Sequence, residues 1–136
     1  MCHGDTHGFN NHAYTDAEGV RRAAFFDFDD AGPGFLAYDL CVWLWSNLPR
    51  KAPMEPDEAL LHRWQQYLAG YSAGGGHVTD ADLAALPLFV QLRHLWNMGE
   101  GVARIHHWGA NMMSAEWIKK QLDVMAAWAR LELPRG

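Results

Sequence analysis

From Phe35 almost to the C-terminus, apolar residues recur at helical spacing, and this feature restricts the chain to a mainly α fold. Phe35 to Ser46 is nearly all apolar and ends at Asn47-Leu48-Pro49. Leu60, Leu61, Trp64, Tyr67, Leu68 and Tyr71 then form a stripe that calls for burial, with Pro56 fitting the first turn of that helix. Gly74-Gly75-Gly76 reads as a flexible break. Thr79 and Asp82 have the spacing of a capping box opening a third helix, which Pro87 should kink or restart and Gly109 should stop after His107. Ser114 caps a last helix in which Ile118, Leu122, Met125 and Ala129 share a face.

The residues before Phe35 have a different grain. Positions 1–10 are rich in Gly, His and Asn and read as loop. Asn11 to Tyr14 and Arg22 to Phe28 are short runs flanking the turn-like Thr15-Asp16-Ala17-Glu18-Gly19, which predicts a β-hairpin over 11–30. Alternation would put Phe26 and Phe28 on one face and Asp27 and Asp29 on the other. The expectation is a single mainly α domain over 1–136: a loop at 3–10, a small hairpin at 11–30, and about four helices over 35–133.

Composition narrows the function classes. Hydrophobic residues make up 49% and charged residues 20%, a globular balance rather than a disordered one. The net charge of −5 and the lack of a basic run exclude a nucleic-acid backbone as partner. The longest apolar stretch, around Phe35 to Leu48, is interrupted by Asp39 and too short to span a bilayer, so no membrane partner is expected. Cys2 and Cys41 form no CxxC pair, and Met1 runs straight into polar residues, so a cytoplasmic setting is expected. Seven Trp residues at mostly helical positions point to core packing.

The chemistry concentrates in His3-Gly4-Asp5-Thr6-His7-Gly8-Phe9-Asn10, which reads as H-G-D-x-x-x-x-N. It sets a carboxylate and a carboxamide on one loop. A carboxylate beside an acceptor hydroxyl can orient it and take its proton, and a carboxamide oxygen is a hard ligand suited to Mg²⁺. Asp27, in Phe26-Asp27-Phe28, can supply the anionic ligand that Asn10 cannot, and a hairpin between them would bring the two together. Gly32 and Gly34 then permit a sharp turn ahead of Asp39-Leu40-Cys41.

In that order and at that spacing, these motifs resemble the aminoglycoside phosphotransferases, a signature shared with choline and homoserine kinases. The Phe26-to-Ala31 wording looks most like the bacterial subgroup that includes stress-response Ser/Thr kinases, and Arg93-His94-Leu95-Trp96 and Trp108-Gly109 are similar to it more loosely. The resemblance implies a protein-kinase-like C-terminal lobe using ATP and Mg²⁺ to phosphorylate a hydroxyl of a small molecule or protein Ser/Thr. It implies Asp5 as catalytic base, Asn10 and Asp27 as ligands of the nucleotide-bound metal, His3 and His7 as structural, and Asp39 as a brace behind the loop. Asp29 would touch metal or substrate or else stay solvated. Gly8-Phe9 stands where the family has Pro-Gly, and Thr6 replaces a commoner apolar residue.

The same resemblance implies a small lobe ahead of the loop, carrying a nucleotide-covering loop and a strand lysine. Only Met1 and Cys2 precede His3, and the lysines, Lys51, Lys119 and Lys120, all lie downstream. The expectation is therefore a C-lobe lacking its N-lobe, with little turnover alone, arising as a truncated product, a half that assembles with another polypeptide, or a remnant with a binding or scaffold role. Uncovered apolar surface would favour a homodimer or a missing N-lobe as partner. Two other readings compete. A metal-dependent phosphoesterase would use Gly4-Asp5-Thr6-His7-Gly8, but Asn11-His12 follows too closely to be its second element. A zinc site from Cys2, His3, His7 and His12 leaves Asp5, Asn10 and Asp27 without a role.

Overall fold

A computed structural model describes residues 1–134, apart from the side chains of Trp108, Ala110 and Met112. It is mainly helical, with one two-stranded antiparallel hairpin ahead of the helices. The hairpin pairs β1 (Asn11–Thr15) with β2 (Arg21–Phe25) in the register Asn11↔Phe25 through Thr15↔Arg21. Asp16 organises its turn, accepting from Glu18 and Val20 N–H and pairing with Arg22 at 2.7 Å. The helices are α1 (Leu36–Asn47), α2 (Glu58–Ala73), α3 (Asp80–Ala103), the short α4 (Ile105–Trp108) and α5 (Ala115–Trp128), with a 3-10 turn at Ala110–Met113.

The apolar run of α1 makes it the central helix. Its consecutive Leu40, Cys41 and Val42 point in different directions and are all fully buried, together with Ala37 and Leu44. Around it pack Leu60, Trp64 and Leu68 of α2, Leu86 and Val90 of α3, and Val124 and Trp128 of α5. Burial also pushes the Cys41 thiol up to about 12, so it behaves as a small apolar filler rather than a thiolate.

Several boundaries depart from the sequence expectations. The predicted second strand stops at Phe25, so the Phe26/Phe28 and Asp27/Asp29 alternation does not exist; Asp27 instead takes a left-handed φ of 62°. Pro56 lies outside α2, because Asp57 is its N-cap and accepts from Leu60 N–H. The three glycines are an ordered cap. Gly76 N–H reaches Tyr71 O and Gly75 N–H reaches Ser72 O, with Gly75 at φ 90°, the pattern of a Schellman motif. The capping box at Thr79 and Asp82 forms in full. Helix α3 runs through Pro87 without restarting but ends at Ala103, short of His107. Ser114 caps α5 as expected, yet Ile118 and Leu122 are exposed and the helix buries Val124 and Trp128 instead.

Candidate active site

The loop between Cys2 and Asn10 is tied to α1 before any functional side chain is considered. An antiparallel bridge joins Cys2 to Gly32. The Asp39 carboxylate, in the first turn of α1, accepts from His3 N–H at 2.9 Å and Gly4 N–H at 2.8 Å, and Thr6 Oγ1 donates to Asp39 O. Gly4 has no substitute here: its φ is +84°, and a Cβ would stand 2.4 Å from Asp30 O.

Two imidazoles complete the loop, each accepting a backbone N–H on Nδ1. His3 Nδ1 accepts from Asp5 N–H, so its proton sits on Nε2, which donates to Phe26 O at 3.1 Å. Its ring lies against Phe28 with centroids 4.4 Å apart. His7 Nδ1 accepts from Phe9 N–H, so its Nε2–H faces Asp5 Oδ2 at 3.4 Å. These contacts, and the bond from Cys2 Sγ to Phe35 O, commit three of the four side chains that a zinc site would need, all but His12. Among the described residues no three His, Cys, Asp or Glu side chains gather into a metal-binding group.

The Asp5 carboxylate is met from the loop and from α3. Asn10 Nδ2 donates to Asp5 Oδ2 at 3.1 Å and to Asp5 O at 3.0 Å. Arg93, from α3, forms an ion pair with Oδ1, and its other amino group meets Tyr38 Oη at 3.2 Å. The Arg93 side chain is only 3% exposed, and its guanidinium lies over the rings of Trp45 and Trp96 at 5.3 and 4.3 Å. Sequence reasoning took Arg93 only as part of a loose resemblance. No spacing rule links positions 5 and 93; the packing of α3 on α1 brings them together.

The Asn10 contacts bear on metal binding. Both of its donor bonds use Nδ2, which leaves Oδ1 with no partner among the described residues. The hairpin register pairs Asn11 with Phe25, and Phe26 N–H then bonds to Asn10 O at 3.2 Å, so Asp27 follows directly after Asn10's neighbour. Asp27 is exposed and carries no hydrogen bond among the described residues. An amide oxygen and a carboxylate, both without a hydrogen-bond partner among the described residues and carried on neighbouring stretches of backbone, are a donor set of the kind Mg²⁺ takes. Asp29 is likewise exposed and lies outside the hairpin.

A cleft of about 1240 Å³ opens beside the loop, lined by Thr6 to Phe9, by Phe25 of β2, and by α1 and α2. Of the seven Trp residues, Trp43 and Trp45 line this cleft, Trp64 and Trp128 are fully buried core, and the Trp108 side chain lies outside the described residues.

Comparison with known proteins locates the same region. The sequence profile of the phosphotransferase enzyme family (APH) matches residues 1–77, which include Asp5, Asn10, Asp27 and Asp39. The chain is 38% identical over 127 residues to a Deinococcus radiodurans protein described as uncharacterized, a match covering 93% of this chain and 35% of that one. The chain thus spans about a third of that relative's length. No solved structure matches it.

Proposed function

The chain belongs to the phosphotransferase enzyme family, and from that premise we propose that it forms the catalytic-loop side of an ATP-dependent kinase acting on a hydroxyl. The observation that carries this reading is the Asp5 carboxylate, whose orientation is fixed from three directions by Arg93, Asn10 and His7. A carboxylate offers about four lone-pair positions, so three donors leave about one for an acceptor O–H.

In this account Arg93 pins Oδ1 and sets the side-chain rotamer, while Asn10 and His7 steady Oδ2. Asp5 orients the acceptor hydroxyl and takes its proton as the new O–P bond forms and the bond to departing ADP breaks. Asn10 Oδ1 and Asp27 would hold Mg²⁺, which when bound supplies charge neutralisation on the β- and γ-phosphates. Asp39 acts through the loop backbone, keeping Asp5 at a fixed distance from α1. No helix among the described residues is long and apolar enough to cross a membrane.

A phosphoryl-transfer assay with ATP and Mg²⁺, run on the longest natural chain containing these residues, tests the reading. Asp5→Asn should lower transfer by about 100-fold or more, the scale of a lost general base, while leaving affinity for Mg²⁺·ATP unchanged. Near-normal transfer by Asp5→Asn would contradict it.

A further inference from the structure

The cleft beside the loop carries information about the acceptor. Its wall is aromatic: Trp43 and Tyr67 are stacked with centroids 4.9 Å apart and planes 13° off parallel, and Trp45 and Tyr71 also line it. Its charged lining is sparse: among the described residues it is His7, Asp39 and Arg50 besides the tyrosine phenols. Asp39 accepts two loop N–H groups at the loop end of the cleft, and the His7 ring faces Asp5. The one carboxylate of the described lining is therefore tied to the loop end.

Arg50 is the reverse case. Its guanidinium lies over Trp45 at 4.7 Å and Trp128 at 5.5 Å and donates to Trp45 O at 2.9 Å. No carboxylate meets it among the described residues. A half-buried cation with no counter-ion in an apolar wall favours an anion brought by a ligand. Its position relative to the transfer site is also fixed. Arg50 and Arg93 both lie over the Trp45 ring, and Arg93 holds Asp5. An acceptor with its hydroxyl at Asp5 would reach Arg50 past Trp45.

We propose that the acceptor is a hydroxylated small molecule carrying a carboxylate, whose anion pairs with Arg50 and whose planar or apolar body lies on Trp43, Trp45 and Tyr67. At the Arg50 end of the cleft a polycationic amine would meet a like charge. The fate of the hydroxyl rests on the phosphotransfer reading above; the binding preference does not.

Binding is therefore measured on the purified chain without nucleotide or metal, by quenching of tryptophan fluorescence and by calorimetry. The probes are 4-(2-hydroxyethyl)benzoate, the corresponding neutral benzamide, and kanamycin as polycation. The benzoate should bind at least about tenfold more tightly than the benzamide, the difference expected of one charge-assisted contact, and kanamycin should be weakest. Arg50→Gln should erase the benzoate advantage, and Arg50→Lys, which keeps charge and much of the packing, should retain part of it. Circular dichroism confirms that both variants fold, and the comparison among probes needs no variant at all. Equal affinity for benzoate and benzamide, tighter binding of kanamycin, or no binding by any probe would overturn the proposal. None of these outcomes bears on Asp5 or on metal-dependent nucleotide binding.

Discussion

Asp5 and Arg93 are one unit, and that changes what a substitution at either means. Arg93 is nearly inaccessible, and its Nε already lacks a partner. Removing the carboxylate leaves a desolvated guanidinium unpaired, at a cost of up to about 3 kcal/mol. Asp5→Ala should therefore lower the urea midpoint clearly, and Asp5→Asn, which keeps an acceptor oxygen for Arg93, should lower it less. Equal losses would contradict the pairing. For this reason Asp5→Asn is the cleaner probe of catalysis. Gly4→Ala belongs to the same scale. The positive φ and the close Asp30 carbonyl act together, and a loss of about 2–3 kcal/mol in urea unfolding is expected; a loss under about 0.5 kcal/mol would show that the loop can relax around the methyl.

At the scale of elements, α1, α3 and α5 are joined through one buried histidine. Trp45 Nε1–H donates to His94 Nδ1 at 3.1 Å, which leaves the His94 proton on Nε2, donating to Gln121 Oε1 at 3.1 Å. Burial, with help from nearby Arg50, holds His94 below its ordinary pKa, against the smaller opposing effect of the Gln121 bond. The folded chain then binds fewer protons at this site than the unfolded chain. The stability His94 contributes is complete above the unfolded value of about 6.5 and is lost as pH falls below it through the depressed folded value. Urea midpoints at pH 7.5 and 5.5 should show the drop, and His94→Gln should make it smaller; an unchanged pH slope would contradict the assignment.

The elements themselves were largely legible in the sequence, because α1, α2 and the Thr79 cap depend on local spacing and side chains. What was not legible depended on partners. The second strand stops at Phe25 because Phe26 turns to serve Asn10 and His3. The α5 stripe was assigned to Ile118 and Leu122, yet the Val124–Trp128 face meets the core, since a helix with apolar residues on two sides cannot announce which side has a neighbour. Asp5, Asn10 and Asp27 were visible as a motif, whereas Arg93 and the aromatic cleft come from helix packing between distant positions.

On the whole-molecule scale, the apolar surface is unevenly finished. Leu88, Leu92, Leu95 and Val102 line an outward stripe of α3, each 45–58% exposed, and both hairpin faces are open apart from the partly covered Asn11. An isolated two-stranded hairpin is marginal in water, so this one relies on its contacts with the loop. A stripe of this kind favours association. Size-exclusion chromatography with light scattering should show a dimer or larger species, weakened by Leu92→Glu; a monomer at every concentration would contradict that expectation.

The central claim is that Asn10 and Asp27 together make a metal-dependent phosphate site, and calorimetric titration of the chain with ATP, with and without Mg²⁺, tests it most directly. Asp27→Gly is the matched control, because glycine accepts the φ of 62° without strain while removing the carboxylate. The account predicts binding at least about tenfold tighter with Mg²⁺, and loss of that dependence in Asp27→Gly. Binding that ignores the metal, or metal dependence that survives in Asp27→Gly, would contradict it.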